Sequence, residues 1–269
     1  MYRTLCISAS IVQGSALGPA AFILNASDMF AVTDGNVYFK YADDFYLLVP
    51  AVNTASIPAE INYLAKWAHN NNLQLNEQKT CKIILCGKRT KQNSLPLPNA
   101  ALTRSPTMNI LGVALDTHLT FAHHIDKVVS AGAQSLYALK TLKAHGLNKI
   151  ELSNICRATL ISKLTYASPS WWGFVSIVDK ARLQALVSKA VKWGLYDQSM
   201  PSISQICQKS DDILFKNILN NTEQVLHQFL PPRQIHSHLL RARLHDRQLG
   251  IAFTLQSKSF LIRMLSKVT

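Results

Sequence analysis

The hydrophobic period changes once along this chain, near Phe121, and no other feature limits the possible folds as strongly. Before it, apolar residues come in short runs: Asn36 to Phe39 (NVYF), Phe45 to Val49 (FYLLV), Lys82 to Cys86 (KIILC) and Ile110 to Leu115 (ILGVAL). Runs of this length, rich in β-branched and aromatic residues and bounded by turn formers, are strand signals. After it, Ile125, Val128, Val129, Gly132, Leu136 and Leu139 recur at helical spacing, as do Leu183, Leu186, Val187, Ala190 and Val191. The expected class is α+β, a strand-bearing piece followed by helices.

Within the first piece, the two aromatic-rich runs flank Lys40 to Asp44, so a β-hairpin is expected with Asp43 and Asp44 at its tip. Ile57, Ile61, Leu64, Ala65 and Ala68 predict a helix that starts near Ser56 and Pro58 and stops at Asn70, Asn71 and Asn72. Gln92 to Asn109 reads as a loop. In the second piece, Pro169 to Gly173, Pro201 and the Pro231-Pro232 pair interrupt the helices, and Asp211 with Asp212 reads as a helix start. Trp171, Trp172 and Cys156 are expected in the core.

With 48% hydrophobic residues in 269, the chain has enough apolar mass for a core, which excludes disorder. No run approaches the ~18 apolar residues of a membrane span, and the opening segment lacks the apolar core of a signal peptide. An intracellular protein is expected, in nucleus or cytoplasm. The five cysteines are scattered without zinc-ligand spacing, and His123, His124, His236 and His238 lack accompanying ligands. Charge is more telling: 28 Lys and Arg against 15 Asp and Glu give +13. The excess gathers between Lys79 and Arg104 and from Arg233 onward, as expected of two phosphate-facing surfaces.

Two adjacent carboxylates at a bend need a physical reason. Unit negative charges ~4 Å apart repel by ~4 kcal/mol at an effective dielectric near 20. Either water solvates them as ordinary turn residues, or a hard divalent cation such as Mg²⁺ sits between them, completed by substrate phosphates.

The surrounding blocks favour the cation. Tyr41-Ala42-Asp43-Asp44 resembles the Y-x-D-D hairpin of reverse transcriptases. Gln13-Gly14 with Pro19 and Phe22 resembles that family's Q-G-x-x-x-x-P segment. Trp67, Asn72-Leu73-Gln74-Leu75-Asn76 and Lys79-Thr80 match its W…N-L-x-L-N-x-x-K-T stretch, and Leu111-Gly112-Val113 with Leu119-Thr120-Phe121 and His124 match L-G-V…L-T-F…H. Tyr166 to Gly173 and Leu240 to Asp246 continue the likeness. The chain is identified as similar to reverse transcriptases of jockey-type non-LTR retrotransposons.

That resemblance implies a reverse-transcriptase palm over 1–120, a helical thumb-like region over 121–200 and a basic helical region over 201–269. It implies RNA-directed DNA synthesis with Mg²⁺ as cofactor, on an RNA template and a DNA primer, from deoxynucleoside triphosphates, away from membranes and in no particular oligomeric state. Asp43 would be the chief metal ligand and Asp44 the second carboxylate. Tyr41 and Ala42 would lie near the primer end, and Gln13 and Gly14 beneath the templating base and incoming nucleotide. Lys79 would counter phosphate charge or donate a proton to pyrophosphate. Leu111, Gly112 and Val113 would form the primer grip. The family's third carboxylate would precede residue 1, and neither Asp28 nor Asp34 replaces it. The palm would lack its central strand, and the chain alone is expected to be a truncated copy with little polymerase activity. The alternative is a non-catalytic, basic, helical nucleic-acid-binding protein.

Overall fold

The computed structural model describes residues 16–76, 78–87, 102–233, 247 and 255–267. It divides into two compact units, Met1–Lys82 with Thr90–Arg104, and Ile83–Arg89 with Ser105–Thr269. Both are mixtures of helices and small sheets, an α+β composition. The described strands form three two-stranded sheets, so each strand pairs on one side only among the described residues. No described helix is long and apolar enough to cross a membrane.

In the first unit, helix α1 (Gly18–Asn25) and a short 3₁₀ turn precede an antiparallel hairpin of β1 (Val37–Tyr41) and β2 (Asp44–Leu48), followed by α2 (Ile57–Asn70). The expected stop at Asn70 to Asn72 is a Schellman motif: Asn72 adopts φ 55°, the Leu73 N–H donates to Ala68 O at 2.8 Å, and the Asn72 N–H donates to His69 O at 3.1 Å. Ala26, Met29, Trp67 and Ala68 form a small core against Tyr38, Phe45, Tyr63 and Leu64. Trp67 meets Phe45 with ring centroids 5.6 Å apart, and its Nε1–H donates to Asp28 Oδ1 at 2.8 Å. Asp28, itself exposed, is thereby engaged by the core tryptophan. Strands β3 (Cys81–Lys82) and β4 (Thr103–Arg104) pair in parallel. Of the strand expected over Lys82 to Cys86 only Lys82 is in a strand, and Ile83 to Cys86 are irregular.

The second unit opens with another antiparallel hairpin, β5 (Thr107–Ile110) and β6 (Val113–Asp116). Two readings are corrected here. Residues 103–104 and 107–109 are strand, not loop, and Ile110 to Leu115 is not one strand. Leu111 and Gly112, at φ 47° and 86°, reverse the chain as a two-residue turn. The β6–α3 loop then places Leu119 and Phe121 at φ 52° and 59°. Asp116 holds it by accepting from the N–H groups of His118, Thr120 and Phe121 and from Thr120 Oγ1 at 2.7 Å.

Helices follow: α3 (Ala122–Ala144), α4 (Lys149–Cys156), a π-helical stretch over Arg157–Ile161, α5 (Ser162–Thr165), α6 (Ser168–Trp171), α7 (Ile177–Lys192), α8 (Ile203–Asn220) and α9 (Phe260–Lys267). Ile125, Leu139, Leu160, Leu164, Trp171, Leu183 and Cys156 are fully buried, so the expected core is found. Gly132 lets α3 approach its neighbours, because a Cβ there would meet Leu186 Cδ1 at 2.8 Å. Asp211 and Asp212 do not start a helix. They sit mid-α8, whose start is the capping box of Ser202 and Gln205. Asp211 is buried and pairs with Arg263 of α9, and Asp212 pairs with Lys267 at 2.9 Å. Two cations of the basic carboxyl-terminal stretch are thus bound internally.

Candidate active site

The hairpin of the first unit is in tight register: Val37↔Leu48, Tyr38↔Leu47, Phe39↔Tyr46, Lys40↔Phe45 and Tyr41↔Asp44. Period-2 alternation turns Tyr38 and Phe45 to the core and leaves Phe39, Tyr41 and Asp44 on the other face. The turn is Ala42-Asp43, and Asp44 is the first residue of β2. Ala42 stands at φ 49°, a left-handed conformation that glycine normally takes at this position of a two-residue loop. Such strain costs ~1–2 kcal/mol and must be held by its surroundings.

Both carboxylates are exposed. Asp44 Oδ2 accepts from Tyr46 OH at 3.1 Å, which leaves its other oxygen open, while Asp43 contacts no described donor. The pair is therefore a projecting set of hard oxygen donors. Among the described residues no group of three or more His, Cys, Asp or Glu side chains is assembled for a metal ion. What the pair fits is Mg²⁺ held by one or two carboxylates, water and substrate phosphates, not a closed protein cage.

The hairpin is anchored from behind by residues that motif reading passed over. Lys40 Nζ donates to Ala26 O at 2.7 Å and to Met29 O at 2.9 Å, and lies 5.1 Å from the Phe30 ring centroid. Glu60 of α2 is fully buried and accepts from the Val32 N–H at 3.2 Å, the Thr33 N–H at 2.9 Å and Asn36 Nδ2 at 2.9 Å. Burial alone would raise its carboxyl, but these donors outweigh it and hold the pKa below the ordinary glutamate value. An acidic residue in a helical first turn was the available signal, and it gave no hint of the loop that Glu60 clasps.

Lys79 is exposed in a turn shaped by Asn76, whose Oδ1 accepts from the Lys79 N–H at 3.1 Å and whose carbonyl accepts from Thr80 Oγ1 at 2.8 Å. The N-x-x-K-T pattern is thus a side-chain-capped turn. Gln13 and Gly14 lie outside the described residues, as do His236, His238 and much of both basic stretches. In the second unit, Leu111, Gly112 and Val113 come together at the β5–β6 turn. Leu111 is 41% exposed, and Val113 is buried. Tyr166 braces this turn: its OH donates to Leu111 O at 3.0 Å, and its ring leaves only 3.2 Å to a Cβ at position 112.

Residues 3–115 match the family described as reverse transcriptase (RNA-dependent DNA polymerase). The chain is 26% identical over 174 residues to the RNA-directed DNA polymerase from mobile element jockey of Drosophila melanogaster, covering 60% of this chain and 19% of that protein. It is 26% identical over 212 residues to the probable RNA-directed DNA polymerase from transposon X-element of the same fly, covering 69% and 22%. The jockey polymerase of Drosophila funebris is 27% identical over 159 residues, covering 55% and 17%. The chain thus spans about a fifth of the length of the curated relatives it matches. No solved structure matches it. The matched span contains the Asp43-Asp44 hairpin, and the relatives over this part of the chain are polymerases of mobile elements: residues 3–115 are similar to the reverse transcriptase family.

Proposed function

We propose that this chain is a portion of an RNA-directed DNA polymerase in which residues 1–120 contribute to a palm, the helices over 121–200 serve as a thumb and 201–269 form a basic helical region. The observation that carries the reading is a family match running through a tight antiparallel hairpin whose turn projects two exposed carboxylates. Asp43 is the metal ligand and Asp44 the second carboxylate. Mg²⁺ held there would stabilise the charge developing on the attacking and leaving oxygens. Tyr41 offers an aromatic face to a primer sugar or base, and Ala42 keeps the turn small. Gln13 and Gly14 support the templating base and incoming deoxynucleoside triphosphate, Lys79 neutralises phosphate, and Leu111, Gly112 and Val113 grip the primer on the RNA template.

The test is paramagnetic. Mn²⁺ added to the chain with a primer–template hybrid should broaden the amide resonances of residues 41–44 saturably, and Asp43→Asn should abolish the effect. Uniform broadening of all exposed carboxylates, unchanged by Asp43→Asn, would refute the assignment. The second reading, a purely basic binding module, loses ground because Arg263 and Lys267 are paired with Asp211 and Asp212.

A further inference from the structure

Beneath the carboxylate turn, contacts within the first unit close into a ring. Lys40 stands two residues before Ala42, on the same face of β1 as the core-packed Tyr38, and pairs across the hairpin with Phe45. Phe45 meets the Trp67 ring at 5.6 Å between centroids, and Trp67 Nε1–H donates to Asp28 Oδ1 at 2.8 Å. Asp28 ends the 3₁₀ turn Ala26–Asp28. The carbonyls that open and follow this turn, Ala26 O and Met29 O, accept from Lys40 Nζ at 2.7 Å and 2.9 Å. The ring thus returns to the strand it left.

A cation suits this place. The 3₁₀ turn follows directly on the end of α1, where carbonyls run out of helical donors and positive charge is favoured. Ala26 and Met29 are both buried, so a side chain without a donor at position 40 would deprive their carbonyls of a partner that water replaces poorly. The Phe30 ring, its centroid 5.1 Å from Nζ, flanks the ammonium. On the other side of the hairpin stands a strained residue. Ala42 holds φ 49°, a conformation that persists only where its neighbours over-determine it. The tip from Tyr41 to Asp44 is exposed, so the hold comes from the residue pair immediately below it, Lys40 and Phe45.

We infer that Lys40 is a positioning residue: its two hydrogen bonds to the 26–29 turn fix how the hairpin presents Asp43 and Asp44 to a divalent cation. The part played by the metal rests on the polymerase reading above; the hold on the turn does not. Lys40 acts on such a cation in two opposed ways. Its charge repels the metal, so by charge alone its removal tightens binding. Its hydrogen bonds keep the turn in the competent arrangement, and apparent affinity scales with the fraction of molecules in that arrangement. Lys40 and the turn are both exposed, so water and salt screen the first effect and the second prevails. The sign of the change on removing Lys40 therefore separates positioning from simple electrostatics.

The experiment has two arms, both on the whole chain. Lys40→Met keeps the unbranched apolar stem and removes the donors, and Lys40→Arg keeps charge and donors. In the first arm, without metal, hydrogen exchange of a peptide covering residues 37–48 should speed about fivefold in Lys40→Met, while one covering 57–70 stays within about twofold of wild type. In the second, Mn²⁺ is titrated and the broadening of the amide resonances of residues 41–44 is followed. The midpoint should rise about fivefold in Lys40→Met and return to within about twofold of wild type in Lys40→Arg. Unchanged exchange over 37–48, or unchanged or tighter Mn²⁺ binding by Lys40→Met, overturns the positioning role. So does a loss that Lys40→Arg fails to repair, or equal acceleration over 57–70, since Lys40 would then merely support the core. A wild-type chain that shows no saturable broadening at 41–44, while Lys40→Met still speeds exchange over 37–48, refutes the polymerase reading and leaves the hold on the turn standing.

Discussion

Replacing Glu60 with alanine should loosen the segment that feeds β1, and with it the hairpin bearing Asp43 and Asp44. The carboxylate accepts from Val32, Thr33 and Asn36, and hydrogen bonds to a charged group contribute ~1.5–3 kcal/mol each. The sum is not the expected loss. Asn36 Nδ2 keeps Ser56 Oγ at 2.9 Å, Val32 is exposed enough to recruit water, and removing Glu60 also removes the cost of burying its charge. A net loss of ~2–3 kcal/mol remains, large against the small core around Trp67. Hydrogen exchange read by mass spectrometry isolates the effect to this unit. Peptides covering residues 30–36 and 57–70 should exchange roughly 30- to 150-fold faster in Glu60→Ala, since ~1.4 kcal/mol is a factor of ten. An increase under about twofold would refute the claim that this carboxylate organises the loop. The pH dependence follows from the sign. The folded pKa is depressed, so the stabilisation is present above the unfolded glutamate value and fades as pH falls through the lower folded value. Glu60→Gln should remove that acid limb while keeping one acceptor oxygen.

Four further outcomes follow from the same kind of reasoning. Burial raises the Asp116 carboxyl, but donors from Thr120, His118 and Phe121 hold it low, so Asp116→Asn should cost ~1–3 kcal/mol and flatten the second unit's loss of stability in acid, seen by Trp fluorescence. Asp211→Asn leaves the partly buried Arg263 with a neutral partner and an already unmatched Nε, costing ~3 kcal/mol and releasing α9 to proteolysis. Gly112→Ala meets both a φ of 86° and the Tyr166 ring at 3.2 Å, and should destabilise the second unit by ~1–2 kcal/mol, read as a lower melting temperature. The thiols of Cys156 and Cys207 are pushed up by burial to about 11, so a thiol reagent at pH 8 should label Cys81 and Cys86 first.

Much of the hairpin was legible because its signals are local. Alternation over Tyr38, Lys40 and Phe45 requires one buried face, and one slipped residue would expose the whole set. The failures were also local in origin. The Leu111-Gly112 turn was hidden because leucine is a poor occupant of a left-handed position, and only the bracing Tyr166 hydroxyl explains its presence there. Asp211 and Asp212 resembled a helix start because acidic residues favour that end. Their partners, Arg263 and Lys267, lie more than 50 residues away, beyond any window of periodicity. The true signal for that helix, Ser202 three residues before Gln205, stood just upstream.

By itself, the order of residues determined the change from strands to helices, the likeness to reverse transcriptases, and the pair of anions at a bend, since each rests on spacing within a few residues. Tertiary structure alone decided which charges are spent inside the molecule and which remain for a ligand. Glu60, Asp211 and Arg263 are held by partners far along the chain, while Lys163 makes no ion pair among the described residues. Burial and long-range pairing set that division, and neither is a property of any single segment.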